Sequence, residues 1–175
     1  MPFTPFHLGP AATIKLIAGG YFSFMLFGFT QVVIDLETLY FVIQGQWPLH
    51  RFFHTYIGAT LVLLFSYYLG KPFCELLLKA WNTMLSPKPT HIFYIKPRIS
   101  KIAALSGATV GVYSHVLLDS IMHSDVAPFS PFTESNSMLH TITITELHIF
   151  CMLTGMFGAT SLLIKFFWDK WTYEV

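Results

Sequence analysis

"IAALSGATVGVYSHVLLDSIMHSD", residues 102–125, decides how the chain is read. Residues 102–122 approach the ~20 residues a helix needs to cross the hydrocarbon core of a bilayer. Most of them are apolar or small. The exceptions fall in one stripe: His115, Asp119 and His123 stand at i, i+4 and i+8, one above another on a single helical face. Ionisable groups at membrane depth are costly unless they pair or bind something. The stretch therefore predicts a transmembrane helix that carries a polar site near one end.

The rest of the chain has the same character. Of its 175 residues 54% are hydrophobic and 11% charged, and the mean hydropathy is +0.58. Globular domains carry about 25% charged residues, so this chain lacks the charge to cover a soluble surface. A net charge of +1 gives no footprint for nucleic acid. Cys74 and Cys151 sit far apart in apolar stretches. They make no disulfide framework and no metal-binding CxxC, and read as small core residues. The N-terminus lacks the basic region of a signal peptide, so the spans themselves are expected to direct insertion. One domain over 1–175 is the expectation.

Four apolar stretches organise it: 10–34, 52–69, 102–122 and 147–168. "FFWDKW" at 166–171 resembles an interfacial aromatic belt. Residues 73–85 read either as a short amphipathic helix on the membrane surface, with Glu75 and Lys79 paired at i, i+4, or as an extension of the second span. Lys71, Lys79, Lys88, Lys96, Arg98 and Lys101 crowd into 71–101, while 35–50 and 124–146 hold no Lys or Arg. The positive-inside rule places 71–101 in the cytoplasm and the other two loops outside. The expected fold is an all-α integral membrane helical bundle: three spanning helices, an N-terminal helical hairpin or fourth span, and a short interfacial helix.

Antiparallel packing of these stretches sends their polar residues to one side. Asp35 and Glu37 follow the first stretch, and His50, Arg51 and His54 open the second. His115, Asp119 and His123 end the third, with Asp125 beyond. Glu146 and His148 open the fourth. His50/His54 and His115/Asp119 are both i, i+4 pairs, a spacing by which one helix gives two ligands to one ion. Glu146 and His148 are expected to orient ligands, and His91 and His140 to lie on the surface.

His7 admits two readings. A single span over 10–34 would leave it about 40 Å from Asp35 at 1.5 Å per residue. A hairpin turning at Gly19-Gly20 would have arms of about 18 and 20 Å and return Asp35 to the level of His7. Lys15 would then lie near the inner end.

"PFTPFHLGPA" (2–11), "VIDLE" (33–37), "PLHRFFHT" (48–55) and "SHVLLDSIMHSDVAPFSPF" (114–132) resemble, in order, the motif blocks of the YdjM-type, LexA-binding, inner-membrane-associated metal-dependent hydrolases. The resemblance implies a metal site from His7, Asp35, His50 and/or His54, His115 and Asp119, with His123 and Asp125 as further ligands or their supports. It also favours the hairpin. Two blocks depart from the family pattern: Asp35-Leu36-Glu37 stands for D-x-D, and the histidines of "HRFFHT" are four apart instead of five.

A mixed imidazole–carboxylate set suits Zn²⁺, with Mn²⁺ or Fe²⁺ as alternatives, as one ion or two. The expected function is a membrane-bound metal-dependent hydrolase cleaving a phosphoester or ester of an amphiphilic, lipid-like substrate. The expected place is the outer face of a bacterial inner membrane. Glu37 is the candidate general base or supporting carboxylate, and Arg51 the candidate binder of phosphate or oxyanion. The competing readings are metal or proton transport, haem ligation by His54 and His115, and a non-catalytic metal-binding membrane scaffold. A transport path needs polar residues through the full depth, and here they crowd to one side.

Overall fold

A computed structural model describes residues 5–85 and 94–173, so His91 lies outside the described residues. Every regular element among them is helical: α1 (Gly9–Ala18), α2 (Phe24–Ile43), α3 (Tyr56–Phe65), α4 (Lys71–Leu85), α5 (Lys101–Met122) and α6 (Ile144–Tyr173). Four helical stretches are long and apolar enough to cross a membrane: Phe24–Ile43, Tyr56–Leu85, Lys101–Met122 and Ile144–Asp169. The described chain is an all-α bundle of four such stretches, with α1 folded against them.

Local sequence explains where the helices start. Ser23, Thr55 and Ser100 sit just outside α2, α3 and α5 in extended conformation. Their side chains accept from the amides of Leu26, Gly58 and Ala103, so each cap satisfies an otherwise unpaired donor. At α6 the cap is reciprocal. The Thr143 amide and hydroxyl donate to Glu146 Oε2, and the Glu146 amide donates to Thr143 Oγ1. Glu146 is thus a helix-capping residue and is exposed. It does not orient ligands as the sequence reading had it.

The chain does turn at the double glycine. Gly19 has φ +52°, a conformation that a side chain would strain. The turn lies beside the first turn of α5, and side chains satisfy its carbonyls. Lys15 Nζ donates to the carbonyls of Gly19 (2.7 Å) and Phe22 (2.8 Å). Ser106 donates to the Tyr21 carbonyl, and the Ser23 amide donates to the Ala103 carbonyl. Lys15 therefore closes the turn itself. The turn also fixes the level of α2, because Ser23 lies beside the first turn of α5.

The two readings of 10–34 combine. α1 is a ten-residue descending arm of about 15 Å, too short to span. α2 is a full span and runs two turns past Asp35 to Ile43. Asp35 and Glu37 consequently lie inside a helix and not in the loop that follows it. α1 rests on α6. Thr13 Oγ1 donates to the Thr154 carbonyl at 2.6 Å, and a Cβ at Gly158 would collide with the Thr13 amide nitrogen. Small residues let these backbones meet, as in other lipid-embedded helix pairs.

Residues 73–85 do not form a separate surface helix. They continue from α3 through a π-turn at Ser66–Gly70, and 56–85 is unbroken. Glu75 pairs with Lys71 (2.8 Å), not with Lys79, and the same oxygen accepts from the Ile99 amide. That bond ties the chain entering α5 to α4. Beneath it Leu26, Cys74, Leu78, Ile99 and Ala103 pack together. A second apolar cluster, Ile34, Ala59, Val62, Val112 and Val116, joins α2, α3 and α5 below the polar groups. Cys74 and Cys151 are buried and free, as their surroundings implied.

Candidate metal centre

Five segments meet above the second apolar cluster. The 3-10 turn Pro5–Leu8 presents His7, α2 presents Asp35, and the loop before α3 presents His50 and His54. α5 presents His115 and Asp119, and the chain after it presents His123 and Asp125. His7, Asp35, His50, His54, His115 and Asp119 are all buried.

Asp119 stands at the middle. Its Oδ2 lies 3.1 Å from His115 Nε2 and 3.4 Å from His54 Nε2. Its Oδ1 lies 3.4 Å from His7 Nε2 and 3.9 Å from His123 Nε2. Asp35 Oδ1 lies 3.5 Å from His115 Nε2. Ligand atoms 2.0–2.1 Å from a tetrahedral zinc ion sit about 3.3 Å from one another, so most of these separations are those of atoms sharing an ion. Hydrogen bonding does not account for those made by His7 and His115. His115 Nε2 and both ring nitrogens of His7 are buried with no hydrogen-bond partner. Orphaned buried nitrogens facing carboxylates are costly, and a cation between them removes the cost. Asp35, His54, His115 and Asp119 form a buried cluster that can hold a metal ion, and His50, His123 and Asp125 form a second group beside it.

The outer nitrogens fix the rings. His115 Nδ1 lies 2.7 Å from Gln31 Oε1, and Gln31 Nε2 donates to the Gly111 carbonyl at 2.7 Å, which sets the amide's orientation. His115 Nδ1 must then carry the proton, and Nε2 turns a lone pair inward. His54 Nδ1 lies 3.3 Å from Glu37 Oε2. That oxygen also accepts from the amides of Phe53 (2.9 Å) and Arg51 (3.2 Å). Glu37 therefore anchors the loop and orients His54. Asp125 does the same for His50. Its Oδ1 lies 2.9 Å from His50 Nδ1, and its Oδ2 accepts from the amides of Leu49 and His50. Such carboxylate–histidine pairs are the usual supports of a metal site.

Burial pushes the His7 imidazole down to about 4. Burial also lowers His50, with the neighbouring His54 adding to the effect, and lowers His123. These rings are unprotonated at neutral pH, the state in which an imidazole binds metal.

Arg51 lies elsewhere. Its Nε donates to the Pro48 carbonyl at 2.9 Å, and its guanidinium carbon sits 3.6 Å from the centre of the Phe41 ring. His148 stacks on Phe6, with ring centroids 4.5 Å apart, so it supports the turn that carries His7. His140 is exposed. Gln31 is the residue that sequence reasoning passed over. It stands one helical turn before Asp35 in an otherwise apolar span, and that i, i+4 relation is its signal.

No protein-family model, curated protein or solved structure matches the chain.

Proposed function

We propose that the chain is a membrane-bound hydrolase working through two divalent ions, with Zn²⁺ the preferred occupant and Asp119 the residue whose two oxygens would serve both. One observation carries this reading: the two oxygens of Asp119 address different histidines, His115 and His54 on one side and His7 and His123 on the other. Asp35 completes the first set, and His50 with Asp125 adjoins the second. Paired ions about 3.5–4 Å apart are a recurrent arrangement for hydrolysing phosphoesters. Bound ions of this kind supply a hydroxide at neutral pH and neutralise charge on the attacked group.

The protein's own residues hold the geometry. Gln31, Glu37 and Asp125 lock His115, His54 and His50. The apolar cluster of Ile34, Val112 and Val116 keeps water out from below. The basic stretch before α5, with Lys96, Arg98 and Lys101, is assigned to the cytoplasm, which turns the site outward at the opposite end of the bundle. That position suits a substrate whose polar head sits at the interface and whose tail stays in lipid. The resemblance to the YdjM-type hydrolases points to the same chemistry.

The test is turnover by detergent-purified protein of bis(p-nitrophenyl) phosphate and of phospholipids. The proposal expects hydrolysis that stops on chelation, returns with a divalent ion, and falls at least roughly a hundredfold in Asp119→Asn. Metal-loaded protein that turns over neither substrate class would leave a metal-binding scaffold instead.

A further inference from the structure

An apolar groove of about 600 Å³ leads from the side of the bundle to the cluster. Phe24, Met25, Gly28, Phe29 and Val32 of α2 form one wall, and Phe73, Cys74 and Leu77 of α4 form the other. Leu8 lies at its head beside Gln31 and Asp35, which bring an amide and a carboxylate to its lining. From Phe24 to Asp35 the groove follows α2 for about 16 Å. Both walls belong to helices long and apolar enough to cross a membrane. Met25, Val32, Phe73 and Leu77 are exposed at its mouth, so the groove opens sideways.

We infer that this groove holds one acyl chain of a membrane lipid and presents the lipid's head group to the metal centre at Asp35. This rests on the hydrolase reading for the fate of the head group, and on the groove alone for the chain. Three features select an acyl chain. The walls are apolar throughout, and a groove open at hydrocarbon depth is filled from the bilayer. It ends on Asp35 and Gln31, which places the lipid's polar end, and no other part of it, against the ion ligands. A second groove of about 480 Å³, lined by Val33, Leu36, Phe53, Leu61 and Phe65, also borders Phe29 and Val32 but contains none of the ligands. It serves as the internal control.

Gly28 makes the test clean. A Cβ there would meet nothing within 4 Å, so a side chain can leave the helix at Gly28 toward the groove, and Gly28→Trp also removes a poor helix former. The purified protein is reconstituted in phosphatidylethanolamine–phosphatidylglycerol vesicles containing a phospholipid with a mid-chain diazirine. Irradiation should concentrate crosslinks on the peptides bearing 24–32 and 73–77. Gly28→Trp should reduce them at least roughly tenfold through the apolar contact it displaces, while Leu61→Trp in the second groove should not. Crosslinks spread evenly over the lipid-facing side of α6, or unchanged in Gly28→Trp, would overturn the inference. Failure of the hydrolase reading is seen separately: neither lipid nor bis(p-nitrophenyl) phosphate is turned over, whatever the crosslinks show. If both readings hold, Gly28→Trp loses lipid turnover and keeps turnover of the water-soluble diester.

Discussion

His7 and Asp119, from opposite ends of the sequence, place Nε2 and Oδ1 3.4 Å apart in the buried centre of the bundle. The contact exists because α1 descends and α2 returns. Without the turn at Gly19, His7 would lie across the membrane from the rest of the cluster. The turn is therefore part of the site.

Lys15 holds that turn through the Gly19 and Phe22 carbonyls. Lys15→Met leaves both acceptors in apolar surroundings, at a cost of about 2 kcal/mol. The expected result is a lower unfolding temperature in detergent together with reduced metal content, because His7 is no longer held. Unchanged metal content would separate the turn from the site.

Gln31 and Glu37 orient the rings of His115 and His54, and through them would act on a bound metal. Gln31→Leu and Glu37→Gln should each weaken metal binding by roughly 10–100-fold in a chelator competition. Arg51→Met should leave it unchanged, because the guanidinium is turned to Pro48 and Phe41. Equal losses in all three variants would mean that the loop, and not the ring orientation, sets affinity.

Protonation of a ligand imidazole releases its ion. Burial lowers His7, His50 and His123, His7 to about 4. All three stay unprotonated to more acid pH than a free imidazole at about 6.5. Metal held by these three rings should therefore survive dialysis at pH below about 6.5. Half-loss near pH 6.5 would mean that the ligand histidines titrate like free ones.

The bundle's orientation is open to labelling in intact cells. Lys96 and Ser135 are both exposed, on loops at opposite ends, and the native cysteines are buried. An impermeant thiol reagent should modify Ser135→Cys and spare Lys96→Cys. The reverse pattern would turn the centre toward the cytoplasm.

The stripe His115–Asp119–His123 was legible in the sequence because a helix imposes its period on widely spaced residues. The hairpin was legible through Gly19-Gly20 and the matched arm lengths. What sequence missed follows from tertiary bonds. Lys15 reads only as a lysine near the inner end until the carbonyls of its own turn are in place. Glu75 has Lys71 and Lys79 both one turn away, and only the Ile99 amide shows where its oxygen points. Asp35 and Glu37 look like the start of a loop because charge ends an apolar run. In the fold their partners are buried histidines, and α2 continues past them.

The central claim is a two-ion centre divided by Asp119, and its most direct test is metal stoichiometry. Protein purified in detergent and re-metallated with Zn²⁺ is passed through a desalting column and measured by elemental analysis beside Asp119→Asn and His140→Ala. The account predicts two ions per chain in the wild type and in His140→Ala, and fewer than one in Asp119→Asn. One ion or none in the wild type, or two retained in Asp119→Asn, would contradict it.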